Sequence, residues 1–126
     1  MSPTSEPGQR SVTFAVEHHE GVLVVRIGGE LDLLTVPELR VRVVAAIEQT
    51  TGPVVIDLTD VGFLSSAGLQ LLISVHSDLA AEHRKVGLVT GDNRPVVRPL
   101  QVTGLDRLLV IYPDLGTALG ASRAAH

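Results

Sequence analysis

A chain of 126 residues can bury one real core and is too short for a second domain beside it. Hydrophobic residues make up 44% and aromatic ones 2%, so the core rests on Val, Leu, Ile and Ala, and a base-stacking nucleic-acid surface is excluded. The formal net charge of -4 is mild, the arginines are scattered from Arg10 to Arg123 without forming a run, and there is no cysteine; DNA, anionic membrane, disulfides, thiolate metal sites and thiol nucleophiles all fall away.

Residues 1–10, MSPTSEPGQR, are polar and rich in Pro and Ser, and they lack the basic-then-apolar order of a secretory signal. They are expected to be a flexible leader, followed by a domain over 11–120 and a flexible tail over 121–126. The alternating run 11–17 and the Val/Ile-rich run 21–29, with HHEG between them, predict an antiparallel hairpin. Next, Thr35 stands where a helix cap belongs, Glu38 three residues later can reach back to it, and Pro37 suits the first turn. Val36, Leu39, Val43, Ala46 and Ile47 then recur at helical spacing.

Beyond Gly52 and Pro53, the run VVIDL at 54–58 is that of a strand buried on both faces, with TDVGF as a loop after it. Leu69, Leu72, Ile73, Val75, His76 and Leu79 trace a second amphipathic helix, which finishes in the cations of His83, Arg84 and Lys85. A strand at 86–90 follows. A third helix is capped by Asp92 or Asn93, carries Pro95 in its opening turn and Pro99 inside, and stops at Gly104. A strand at 108–112 and a fraying final helix complete the order. Strands alternating with helices predict an α/β fold, a mixed and mainly parallel sheet of four to five strands with an antiparallel edge.

The chemistry is narrowed by elimination. Ser66 lacks the glycine two residues before it that a strained nucleophile elbow requires, since Leu64 is there. Asp57 closes an apolar strand as a phosphate acceptor would, yet Glu30 and Asp32 are not an acidic pair and the sole lysine, Lys85, opens its strand; Asp57 is expected to cap loop amides instead. His18, His19 and Glu20 sit in a turn, and His76 and His83 are two helical turns apart, so no metal site is expected. No cofactor cradle is present in the sequence. A serine opening a helix can cap it, and a phosphate added there would be welcomed by free amides and the helix dipole.

GGELDLLTVPELR, VVIDLTDVGFLSSAGLQLL and RPVVRPLQVTGLDRLLVIYPD, in that order and spacing across about 11–120, resemble the anti-sigma factor antagonists, whose domain is called STAS. The resemblance implies a single STAS-type domain with about four helices packed mainly on one side of the sheet, and a non-enzymatic protein. It implies a regulator that binds an anti-sigma factor of the serine-kinase type and frees the sigma factor, and a cytoplasmic location is expected from the polar leader and the lack of an uninterrupted apolar run of about 18 residues. That kinase phosphorylates the antagonist near the 65–68 turn and a serine phosphatase resets it. The family's phosphorylated hydroxyl immediately precedes glycine, whereas here Ala67 precedes Gly68. Ser66 then serves, or Ser65 does, or the protein binds without being switched, as a scaffold or interaction module would; the oligomeric state stays open.

Two segments are implied as the docking face: Asp32, Leu33, Leu34 and Thr35, and Phe63, Leu64, Ser65, Ser66, Ala67, Gly68 and Leu69. Leu33 and Leu34 admit a second role, as a hydrophobic staple on the helix they precede.

Overall fold

The computed structural model describes residues 11–124; the expected leader at 1–10 and the end of the expected tail lie outside them. Strand β1 (Val12–His19) and strand β2 (Val22–Leu31) form the hairpin, followed by α1 (Val36–Glu48), β3 (Val54–Leu64), α2 (Ser66–Ala81), β4 (Val86–Val89) and α3 (Arg94–Thr103). A short 3-10 turn at Leu105–Arg107 leads into β5 (Ile111–Tyr112) and α4 (Leu115–Ala124). The five strands lie in chain order, β1 antiparallel to β2 and every later neighbour parallel. At the hairpin, Glu20 and Gly21 both take positive φ, 50° and 87°, the two-residue turn whose twist matches that of its strands.

Alternate residues of the central strands feed two apolar layers. Leu23, Val25 and Ile27 of β2 and Val54, Ile56 and Leu58 of β3 face α1, α2 and α3 in the main core. Val22, Val24, Val55 and Val89 face the other way, beneath Ala118 and Leu119 of α4. Both faces of the sheet centre are thus removed from water, at about 1.5–3 kcal/mol for each large side chain fully buried.

Several elements depart from the sequence expectation. Strand β3 continues through the predicted loop to Leu64, because β2 continues beside it and supplies main-chain partners as far as Leu31. Register shifts between Arg26 and Gly28 and between Gly29 and Glu30 break the two-residue period; successive core positions become Leu58, Val61 and Leu64. The buried face of α2 is set by Gly68, Leu71, Leu72, Val75 and Leu79, leaving Leu69, Ile73 and His76 half-buried. Strand β5 keeps only two residues of the predicted five. The expected final helix is present as α4, which runs to Ala124 and buries Ser122.

Polar side chains fasten elements other than their own. Helix α2 ends at Ala81 with no basic residue in its last turn. Arg84 instead turns to the end of α1, where its guanidinium donates to the carbonyls of Gly52 at 2.8 Å and Ile47 at 3.1 Å and to Thr50 Oγ1 at 2.7 Å. Asn93 leads into α3 without a side-chain cap; its Nδ2 donates to the carbonyls of Leu58 and Val61, at 2.9 and 2.7 Å, in the irregular part of β3. Among the described residues no helix is long and apolar enough to cross a membrane.

With its side chain only 6% exposed, Arg84 ties the α2–β4 connection to the α1–β3 connection. Arg84→Met is expected to lower the unfolding free energy by about 2–3 kcal/mol, the range for charge-assisted bonds lost at a buried site. Urea denaturation measures this, and a loss below about 0.5 kcal/mol, the scatter of neutral surface changes, contradicts the assignment.

Candidate partner-docking site

Strands β2 and β3 end side by side, Leu31 opposite Leu64, and the amide of Ser65 donates to the carbonyl of Leu31 at 2.9 Å. The connections to α1 and α2 therefore leave the sheet from adjacent points. In the first, Asp32 Oδ1 accepts from the amides of Leu34 at 2.9 Å and Thr35 at 3.1 Å. Thr35 Oγ1 donates to the carbonyl of Glu30 at 2.6 Å and accepts from the amide of Asp32 at 3.0 Å. Thr35 precedes α1 without a side-chain cap bond, so the expected box with Glu38 is not made; the carboxylate of Asp32 serves the local amides instead. The turn pushes its two leucines outward, Leu33 80% and Leu34 79% exposed. A staple would have buried them against α1.

In the second connection, Ser65 has an extended backbone and its Oγ accepts from the amide of Gly68 at 3.4 Å, as a helix cap does. Ser66 is the first helical residue and is exposed; Ala67 is half-buried against the main core. A Cβ on Gly68 would lie 2.6 Å from Leu64 Cδ1 and 3.0 Å from Leu31 Cβ. Glycine there lets the opening turn of α2 rest directly on the end of β2.

The expected docking residues accordingly separate into three sets. Leu33, Leu34, Phe63 and Ser66 are exposed, Phe63 at 43%, around the joined ends of β2 and β3. Asp32, Thr35, Ser65, Ala67 and Leu69 are half-buried and shape that surface. Leu64 and Gly68 are buried and cannot meet a partner in this conformation; they hold the surface from beneath.

Asp57 is buried and occupied. Its Oδ1 accepts from Thr59 through both the amide, 3.0 Å, and the hydroxyl, 2.8 Å, as expected of a carboxylate capping its loop. Its Oδ2 accepts from Arg26 Nη1 at 2.9 Å, a partner the sequence reading missed. Arg26 and Asp57 are register neighbours on β2 and β3, and the signal was a lone opposite charge in each of two apolar runs. Arg26 Nε also meets Glu17 Oε2 at 2.6 Å; that hydrogen bond, with one from His19, holds the Glu17 carboxyl below its ordinary range. Among the described residues no three His, Asp or Glu side chains converge on a possible metal position.

Gly68→Ala is expected to lower the unfolding free energy by about 1–3 kcal/mol, the usual cost of overpacking, because Leu31 Cβ cannot retreat as a flexible side-chain end could. Thermal and urea denaturation measure the loss, and an unchanged midpoint would contradict the tight seating of α2.

The pattern of the STAS domain matches residues 13–118. The anti-sigma-F factor antagonist RsfB of Mycobacterium tuberculosis (strain CDC 1551 / Oshkosh) is 34% identical over 116 residues, 92% of this chain and 93% of its own. An anti-sigma F factor antagonist of Paenibacillus polymyxa is 32% identical over 110 residues, 86% of this chain and 93% of its own. The crystal structure of an anti-sigma factor antagonist from Mycobacterium paratuberculosis superposes with a TM-score of 0.83 at 38% identity, covering 95% of this chain and 99% of that one. With the sheet order, the helix placement and these matches in agreement, the chain belongs to the STAS domain family, among relatives named as anti-sigma factor antagonists.

Proposed function

We propose that this chain is a cytoplasmic anti-sigma factor antagonist that binds a serine-kinase type of anti-sigma factor and thereby frees a sigma factor. The observation that carries this reading is the exposed pair Leu33 and Leu34, held outward by Asp32 and Thr35 beside the open tip of α2. Apolar side chains fixed in water by a hydrogen-bonded turn fit a surface that another protein covers. Phe63 extends the same apolar area.

Regulation by phosphate at Ser66 is part of the proposal. The kinase partner would transfer the γ-phosphoryl of ATP to Ser66 Oγ, releasing ADP and the hydroxyl proton; a serine phosphatase would return the hydroxyl. Ser66 is favoured over Ser65 because it is exposed, while the Ser65 hydroxyl is engaged with the Gly68 amide. A phosphate carries about -1.5 to -2 charge, and the positive end of α2 tolerates it without unfolding. What it would change is the partner's ability to desolvate this face. Ala67, at the family's usual acceptor position and half-buried, favours a second reading in which the chain binds constitutively as an unphosphorylated interaction module.

Two measurements test the proposal with the serine-kinase anti-sigma factors of the source cell. After incubation with Mg-ATP, mass spectrometry is expected to place phosphate on Ser66, and Ser66→Asp is expected to weaken binding at least about tenfold, or about 1.4 kcal/mol. Tight binding with no phosphate, and no effect of Ser66→Asp, supports the constitutive module and overturns the switch. Separately, Leu33→Ser combined with Leu34→Ser is expected to cost about 2 kcal/mol or more of affinity, as central anchors do, with the urea midpoint unchanged. Undiminished affinity in that variant removes the docking face itself.

A further inference from the structure

The geometry points to a second site, a cleft between α3 and the ends of β4 and β5 that binds a small organic monoanion with an apolar body. This inference uses none of the docking residues and stands apart from the proposed function.

Topology opens the cleft. Strands β4 and β5 are parallel neighbours. The chain leaving β4 enters α3, which packs in the main core through Val96 and Leu100; the chain leaving β5 enters α4, which covers the opposite face through Ala118 and Leu119. Where helices following adjacent parallel strands diverge to opposite faces, a crevice is left outside the carboxyl ends of those strands, and open α/β sheets bind ligands there.

The crevice has the right size and walls. It encloses about 360 Å³, with Gly91 after β4, Tyr112 and Pro113 at the end of β5, and Val97, Leu100 and Gln101 on α3. That lies in the range of small-molecule sites, about 300–1,000 Å³. It continues into a second hollow of about 370 Å³ that shares Gly91, Val97 and Gln101 and adds Asp92, Arg94 and Arg98.

Charge supplies the specificity. Arg26, Arg40, Arg42, Arg84 and Arg123 each have a side-chain partner. Within the described residues no hydrogen bond or ion pair engages the side chain of Arg94, Arg98 or Arg107, and all three lie on the segment formed by α3 and the 3-10 turn. Arg94 and Arg98, four residues apart, flank the same groove and are exposed. Two guanidiniums free to turn toward one carboxylate or phosphate make a strong anion subsite. Asp92 beside them limits the favoured charge to a single one, and Asp106 on the cleft wall can accept a hydrogen bond from a hydroxyl or amino group on the ligand body.

The test is a titration of the full chain, followed by amide chemical shifts, with 4-hydroxyphenylacetate as probe and acetate and 4-methylphenol as controls. Saturable shifts centred on Gly91, Gln101 and Ile111 are expected with low-millimolar affinity for the probe, and at least about tenfold weaker binding for each control. Arg94→Gln with Arg98→Gln is expected to raise the probe's Kd at least about tenfold, and Gln101→Trp, which fills the wall common to both hollows, to abolish saturation. These positions are exposed, and unchanged shifts elsewhere verify that the variants remain folded. Shifts that do not saturate, equal shifts with acetate, or an unaltered Kd in the double variant overturn the site.

Discussion

The contact between Gly68 and the end of β2 determines where everything at the docking face stands. The first turn of α2 lies so close to Leu31 that no side chain fits between them. That approach brings Ser65 within hydrogen-bond distance of the Leu31 carbonyl, and the same Leu31 leads directly into the Asp32 turn. A helix start and a loop distant in sequence thus share one fixed point. The exposed leucines and the Ser66 hydroxyl keep their relation through backbone geometry, so a charge added at Ser66 would act by desolvation and repulsion, with no hinge required.

The second face of the sheet is divided by chemistry. Where α4 lies, the strands present Val22, Val24, Val55 and Val89; where it does not, Glu17, Arg26 and Asp57 take over. Asp57 is almost wholly withdrawn from water, and its oxygens are used by Thr59 and Arg26, as a buried carboxylate requires. The network closes the part of the face that no helix covers while Arg26 still reaches solvent. It is an anchor of the sheet; the resemblance to an acceptor aspartate was one of position alone.

Much of the fold was legible because hydrophobic period and turn chemistry agreed with the final packing. The hairpin, the order of strands and helices and the stop at Gly104, with φ of 78°, all followed from local signals. The polar contacts that escaped have a common cause, the use of one element's side chains by another. Arg84 read as a cation for its own helix and serves α1; Asn93 read as a cap and binds β3; Thr35 read as a cap and ties the loop to Glu30. The length of β3 escaped because its two bulges erase the alternation on which strand reading rests. At the docking face, Leu33 and Leu34 fitted a staple or an anchor equally well in sequence, and only the turn made by Asp32 separates the two. The arginines of α3 gave no sequence signal, since their lack of partners is a property of three dimensions.

The two margins of the sheet are unequal. Among the described residues, β5 presents an edge only two residues long on one side, too short to template another chain, while β1 presents an eight-residue edge on the other, including the half-exposed Val16. Among the described residues, ribbon-like growth of one molecule onto the next would use the β1 side. In concentrated stocks the longer described edge is thus the place to guard against ordered aggregation, and a lysine on that rim would be the economical safeguard for storage.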